Sequence, residues 1–322
     1  MSGDSGWIAD DASRPRKNCW LLALTLSSLA LGASNRPPVF PLPQEIELTN
    51  DAFALVEPVR ILLPTEPTAE DLLLAREFAA ELGDRHGLSV KVERVAGGPD
   101  AMPAIVIGAH SNPLVRQCCT QLGLKVDAAN PGAEGYRLQV DRRLALVAGS
   151  DAAGAFYGMQ SLRQLVKRGG AGVEITGARI RDWPHLPFRG IRLYLPGQEN
   201  IAFFKRFLRD FMALYKFNRV IIEMNAGMRF DRHPELNAGG REFAKDLIYS
   251  RRERPAGPGD YFQDSAHHDT ADGGVLEKPD VAAIVACARE HHIEVIPEIP
   301  SLTHSYYLLT RHRELAEIQT AE

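Results

Sequence analysis

Apolar and polar positions follow two rhythms along this chain, and the rhythm changes at residues 181–187. In the first part, Val59-Arg60-Ile61-Leu62-Leu63 alternates as a strand, and Thr68 is placed to cap a periodic helix running to about Leu82. Glu70 and Asp71 fall in the first turn of that helix, where the positive end of its dipole favours carboxylates. Further strands are expected at Leu88 to Glu93, Ala104 to Gly108, Gly135 to Val140, Leu144 to Ala148 and Val173 to Ile180. A second helix follows Ser150-Asp151 and carries Phe156, Tyr157, Met159, Leu162, Leu165 and Val166 on one side. Strands mixed with two helices on one face predict an α+β layer domain of ~140 residues.

After Arg181-Asp182-Trp183-Pro184-His185-Leu186-Pro187, where two prolines interrupt the pattern, the chain turns to repeated strand-helix units. Gly190 to Leu195 is the first strand. The helix that follows starts near Asn200, with Phe203, Phe204, Phe207, Phe211, Leu214 and Tyr215 as the stripe expected to pack inward. Val220 to Met224 is the second strand. A long loop rich in Gly, Pro, Asp and His then leads to a helix at Pro279 to His292. The third strand, Ile293 to Ile299, ends in polar groups, which is how a (β/α)₈ barrel builds its functional face. The fold class expected is therefore α/β: an N-terminal α+β accessory domain, then the first part of a TIM barrel. A full barrel takes ~250 residues, so the barrel is expected to be truncated. The boundaries read as 1–35 leader, 36–183 accessory domain and 184–322 partial barrel.

Composition narrows the function classes. A chain of 322 residues with 45% hydrophobic and 24% charged residues is globular, and a net charge of −4 without a long basic run argues against nucleic-acid binding. Arg14, Arg16 and Lys17 precede an apolar run from Cys19 to Leu31 that ends in Gly32-Ala33-Ser34, the pattern of a secretory signal peptide. That run is too short to span ~30 Å of hydrocarbon, so a secreted or periplasmic protein without a stable membrane span is expected. Cys19, Cys118, Cys119 and Cys287 lack metal-ligand spacing and read as small hydrophobes. His267-His268-Asp269 and His291-His292 lack the i, i+4 spacing of a helical metal site, so no metal is expected.

Three passages carry a resemblance. Phe156-Tyr157-Gly158-Met159-Gln160-Ser161-Leu162-Arg163-Gln164-Leu165 resembles the helix that closes the non-catalytic domain of glycoside hydrolase family 20, the β-N-acetylhexosaminidases. Asp182-Trp183-Pro184 with Phe188-Arg189-Gly190 resembles the family's entry into its first barrel strand, and residues 211–218 its first barrel helix. Residues 293–304 resemble its third strand and a loop bearing a substrate-side His. The resemblance implies retaining, substrate-assisted hydrolysis of terminal N-acetylhexosaminides without a cofactor, in which an Asp-Glu pair after the fourth strand assists the sugar's own acetamide. No His-x-Gly-Gly-Asp-Glu passage occurs here, so the catalytic pair is expected beyond Glu322.

Carried over residue by residue, the resemblance marks three substrate-side positions. Arg189 matches the Arg that holds the sugar's 3- and 4-hydroxyls, a task suited to a planar guanidinium. His304 matches the loop His beside the catalytic acid. Glu298 ends the third strand and is read as a supporting carboxylate. Departures from the pattern are Tyr194-Leu195 for Leu-Asp, Met224-Asn225-Ala226-Gly227-Met228-Arg229 for an acidic run, and Pro300, Leu302 and Thr303 in the His loop. They mark a divergent member in which Glu223 or Asn225 takes over a polar role. The competing readings are a non-catalytic carbohydrate-binding or vestigial module, and another glycosidase with the same accessory domain. Three strand-helix units alone leave both edge strands open. The isolated chain is accordingly expected to be unstable or to self-associate, and a monomeric peak in size-exclusion chromatography with one cooperative melt would contradict that.

Overall fold

The computed structural model describes residues 38–99, 102–170, 172–242, 274–302 and 304–317. The leader reading at 1–35 and the run His267-His268-Asp269 lie outside the described residues.

The first layer is a mixed sheet of eight strands: β1 (Glu45–Ala54), β2 (Val59–Pro64), β3 (Val90–Val95), β4 (Ala104–Ala109), β5 (Tyr136–Val140), β6 (Leu144–Gly149), β7 (Val166–Gly169) and β8 (Gly172–Asp182). Their order is β1-β8-β5-β6-β4-β2-β3, with β7 paired to β8. β3, β2, β4 and β6 run parallel to their neighbours, and β5, β8, β1 and β7 complete the sheet antiparallel. Three helices flank it, not two: α1 (Ala69–His86), α2 (Pro113–Leu122) and α3 (Ala152–Leu165).

The helices take both faces of the sheet. Ile61, Leu63, Ile105 and Ile107 meet Leu74 and Phe78 of α1 and Phe156 and Met159 of α3, whereas Leu62, Val106 and Leu146 meet Leu114, Val115 and Cys118 of α2. Burial on both faces explains why β2 and β4 are nearly continuous apolar runs. The reading of two helices on one face is thus corrected. A ten-residue helix opening on Pro113 is too short for periodicity to announce it. β1 was also missed, because its exposed polar positions mask the alternation.

Helix entry is chemically specified. Thr68 accepts from the Asp71 amide at 3.1 Å while Asp71 accepts from the Thr68 amide at 3.0 Å, closing a reciprocal cap on α1. The other Asp71 oxygen accepts from Asn112 Nδ2 at 2.8 Å, and Asn112 in turn caps α2 through the Leu114 amide at 2.9 Å. One side-chain contact therefore ties together the starts of two helices.

The second sheet is three parallel strands in the order β11-β10-β9: β9 (Gly190–Tyr194), β10 (Arg219–Glu223) and β11 (Glu294–Glu298). Their register aligns Gly190, Arg219 and Glu294 at the amino end and Tyr194, Glu223 and Glu298 at the carboxyl end. Helix α4 (Ile201–Phe207) continues as a π-turn over Leu208–Met212 and packs Phe204, Leu208 and Met212 on the sheet, alongside Ile284 and Ala288 of the helix Lys278–Glu290. Phe203 and Phe211, expected in that stripe, are instead exposed. The inward face repeats at 204, 208 and 212, a spacing of four residues that the longer aromatic run conceals.

Helix α3 is buried nearly all round because it lies between the two sheets. Gly154 backs directly onto the Gly135 backbone and Gly158 onto Val147 and the Tyr136 ring. On its other side Phe156 packs against the rings of His291 and His292, 6.0 and 5.1 Å away between centroids, and the Tyr157 hydroxyl reaches the His292 carbonyl at 3.5 Å.

Two outcomes test this packing. Gly154→Ala drives a methyl group into the Gly135 carbonyl and is expected to cost about 1–3 kcal/mol, read as a lowered denaturation midpoint. Burial holds His292 below the ordinary imidazole pKa, opposed by Asp151 and helped by His291. Its neutral form therefore favours the fold fully above a pH of about 6.5, and that contribution is lost as pH falls below this value. His292→Asn, which suits the backbone φ of 57° here, should flatten the fall in melting temperature between neutral and mildly acidic pH.

Candidate active site

In a barrel, reactive groups gather where parallel strands end, because the following loops open there. The carboxyl ends of β9, β10 and β11 bring together Tyr194, Glu223 and Glu298 as register partners. Into this row projects Arg192, two residues back along β9 and on the same face as Tyr194. Its Nε donates to Glu298 at 2.6 Å and its Nη2 to the other Glu298 oxygen at 3.1 Å. The same Nη2 also donates to Glu223 Oε2. Both oxygens of Glu298 thus accept from one guanidinium, the bidentate form that fixes an arginine in place. The Glu223 carboxylate is fully buried, whereas the Arg192 side chain keeps 38% of its surface exposed. These bonds, the one to Glu298 foremost, raise the Arg192 pKa further above its already high ordinary value.

Asn225 completes the row from the loop after β10, donating from Nδ2 to Glu223 Oε1 at 2.7 Å. Its backbone is left-handed, with φ 40°. His304 has the same handedness, with φ 54°, in the loop after β11, and is exposed. Left-handed backbone at Asn and His is readily adopted, and in this chain Glu134, Lys216 and His292 share it. The loop after β11 is braced by Tyr307, whose hydroxyl donates to the Pro300 carbonyl at 2.9 Å.

Arg189 lies elsewhere. It stands one residue before β9, at the amino end of the sheet, roughly 16 Å along the strand from the Glu298 row. Its Nε donates to the Lys216 carbonyl at 2.7 Å, its Nη1 to the Leu186 carbonyl at 3.0 Å, and its Nη2 to Glu134. It also lies over the Tyr157 ring at 5.3 Å. The structure brings Glu298 and the His304 loop to one face and separates Arg189 from both. Among the described residues, the arginine that meets the strand-end carboxylates is Arg192, which sequence reading passed over. The available sign was a lone charge at an inward-facing position of an otherwise apolar strand.

Among the described residues no group of three His, Cys, Asp or Glu side chains is arranged to hold a metal ion, and no helix is long and apolar enough to cross a membrane. Buried Cys118 and Cys119 back onto the sheet core, and burial pushes the Cys118 thiol up to about 11.

Comparison with known proteins matches residues 36–183 to glycosyl hydrolase family 20, domain 2, and residues 198–322 to the glycosyl hydrolase family 20 catalytic domain. The chain belongs to glycoside hydrolase family 20. It is 28% identical over 297 residues to a beta-hexosaminidase of Porphyromonas gingivalis, covering 86% of this chain and 32% of that protein. It is 30% identical over 191 residues to a beta-hexosaminidase of Akkermansia muciniphila, covering 56% of this chain and 34% of that one. The chain thus spans about a third of the length of these relatives. Among solved structures, the family 20 β-N-acetylhexosaminidase of Streptomyces coelicolor A3(2) superposes with a TM-score of 0.61 at 21% identity, covering 87% of this chain and 49% of the other. That likeness supports the α/β fold with a partial TIM barrel.

The Arg192 cluster carries its own test. Arg192→Met takes the Arg192 bonds from the buried Glu223 carboxylate and, with Arg192 38% exposed to water, is expected to cost about 1–3 kcal/mol by chemical denaturation. Adding Glu223→Gln to that variant should recover most of the loss, because the buried charge is then gone. Equal stability of the single and double variants would show that the cluster is not coupled in this way.

Proposed function

We propose that this chain forms the amino-terminal part of an exported, retaining β-N-acetylhexosaminidase, with Arg192, Glu298 and His304 on the wall that receives a terminal N-acetylhexosamine. The observation that carries the reading is the Arg192 guanidinium, pinned by Glu298 and Glu223 at the carboxyl ends of three parallel barrel strands in a family 20 chain. A guanidinium held from behind by carboxylates keeps its Nη1, which also reaches the Tyr194 hydroxyl at 3.4 Å, in a fixed plane, which suits a sugar hydroxyl beside that phenol. Glu298 and Glu223 act here as positioning residues, since they hold Arg192. His304 stands on the neighbouring loop as a second polar contact. Arg189 then serves the domain junction, and Arg192 takes the hydroxyl-holding role that the resemblance assigned to Arg189.

The proton donor and the carboxylate that orients the acetamide are not among these residues. In the proposed reaction the acetamide oxygen attacks the anomeric carbon while an acid protonates the leaving oxygen. The chain shown here supplies binding and orientation, and the Asp-Glu pair that supplies the chemistry belongs to a fourth strand. The beta-hexosaminidase names of the relatives support the substrate class, and the Arg14 to Ser34 pattern supports export.

The deciding experiment measures p-nitrophenol release from p-nitrophenyl N-acetyl-β-glucosaminide by the 322-residue chain and by any longer product of the same reading frame. Hydrolysis by the longer product alone is expected. In that product Arg192→Lys, which keeps the charge and loses the fork, should lower kcat/KM by about 100-fold. Hydrolysis by the 322-residue chain that disappears in Glu298→Gln would move the chemistry to Glu298 and sink the proposal. Saturable sugar binding with no turnover in either product would favour a binding module.

A further inference from the structure

On the amino-terminal side of the barrel strands, away from the Arg192 row, a cavity of about 200 Å³ opens between the two sheets. Its size exceeds the ~150 Å³ that takes a benzene ring, so it has room for a single six-membered ring. Tyr157 and Trp183 supply aromatic walls, and Leu42 and Leu186 form a rim that is 64% and 59% exposed. The Trp183 ring carries the Arg181 guanidinium at 4.5 Å, which orients it.

The polar side of the cavity is built from ions that balance. The buried Lys216 ammonium donates to Asp182 Oδ2 and to the Tyr136 hydroxyl, both at 2.9 Å, and among the described residues it has no third acceptor. Glu134 and Arg189, paired with each other, also line the cavity. An anionic ligand would gain from Lys216 and Arg189 and lose as much against Asp182 and Glu134. A cation would meet the reverse. A neutral group that both donates and accepts, as a hydroxyl does, is served by an ammonium and a carboxylate side by side. Apolar ring faces beside such an edge match a pyranose, whose C–H face is apolar and whose rim is hydroxylated.

We propose that this junction cavity is a second carbohydrate site, taking one neutral pyranose ring seated against the Trp183 side of the cavity with a hydroxyl on Lys216 and Asp182. The ligand class agrees with the hexosaminidase reading but rests on the cavity's own walls and charge balance. Occupation of the site bridges the accessory sheet and the barrel.

The test uses Trp183 as its own reporter. In the full chain with Trp7→Phe and Trp20→Phe, Trp183 is the only tryptophan left. N-acetylglucosamine and methyl glucoside are titrated against its emission, with benzoate as an anionic ring of similar size. Saturable shifts with the sugars in the millimolar range, and none with benzoate, are expected for a ligand this small. Leu186→Arg, at the exposed rim, should weaken sugar binding by at least about tenfold without unfolding the chain, whereas Arg192→Lys should leave it unchanged. No saturable shift, a preference for benzoate, or loss of the shift in Arg192→Lys would overturn the proposal. If turnover fails in the hexosaminidase assay and the Trp183 titration stands, the junction site survives without that reading; the converse result sinks only the junction site.

Discussion

The ion pair between Lys216 and Asp182 is the contact on which the arrangement of this protein turns. Lys216 ends the first helical stretch of the barrel with a left-handed backbone, φ 61°, and sends its ammonium into the accessory layer. Burial lowers its pKa, and Asp182 opposes that fall. Asp182 is the last residue of β8 and also accepts from Tyr136 at 2.9 Å, while Tyr136 meets Ser161 of α3 at 2.6 Å. One buried network therefore joins a strand end, a strand start, a helix and the first barrel helix. Removing one member would strand a charge in the interior, which is far costlier than losing an exposed pair.

Around that network the junction is completed by a second, parallel fastening. Glu134 receives Arg189 and Asn218, and Asn218 in turn accepts from the Arg189 amide at 2.9 Å and donates to the Pro187 carbonyl at 2.9 Å. These contacts all fall at the amino ends of β9 and β10. Fixing strands by that end leaves their carboxyl ends free to carry a site, which is the division of labour expected of a barrel. The Arg192 row is then a consequence of register: three parallel strands in step place Tyr194, Glu223 and Glu298 side by side.

Much of this was legible in the chain. The parallel strands at 190–194, 219–223 and 294–298 announced themselves as short apolar runs ending in polar groups, and Thr68 and Asp151 marked helix starts that the structure places there. The family was legible in the passages around Phe156, Asp182 and Ile293. Elements that were not legible share a cause. α2 and β1 are short or half-polar and owe their form to packing on a sheet already present, so their own pattern is weak. The aromatic run 203–215 misled because a helix turns only part of its positions inward, and composition does not say which.

The candidate site divides along the same line. Sequence by itself determined that Glu298 ends a barrel strand and that His304 follows it on a loop, because both are local properties of one segment. It did not determine the layer order, because the ten-residue α2 that covers the second face of the sheet is too short to leave a periodic record. Only tertiary structure decided that Arg192 and not Arg189 reaches the carboxylates. The two arginines lie three residues apart, Arg189 just before β9 and Arg192 within it, so they point to opposite faces and sit at different heights. Which face is the interior depends on strands 30 and 100 residues away, and on the accessory layer that draws Arg189 to Glu134. Pairings between distant segments carry no imprint in the local pattern of either one, which is why they had to be seen.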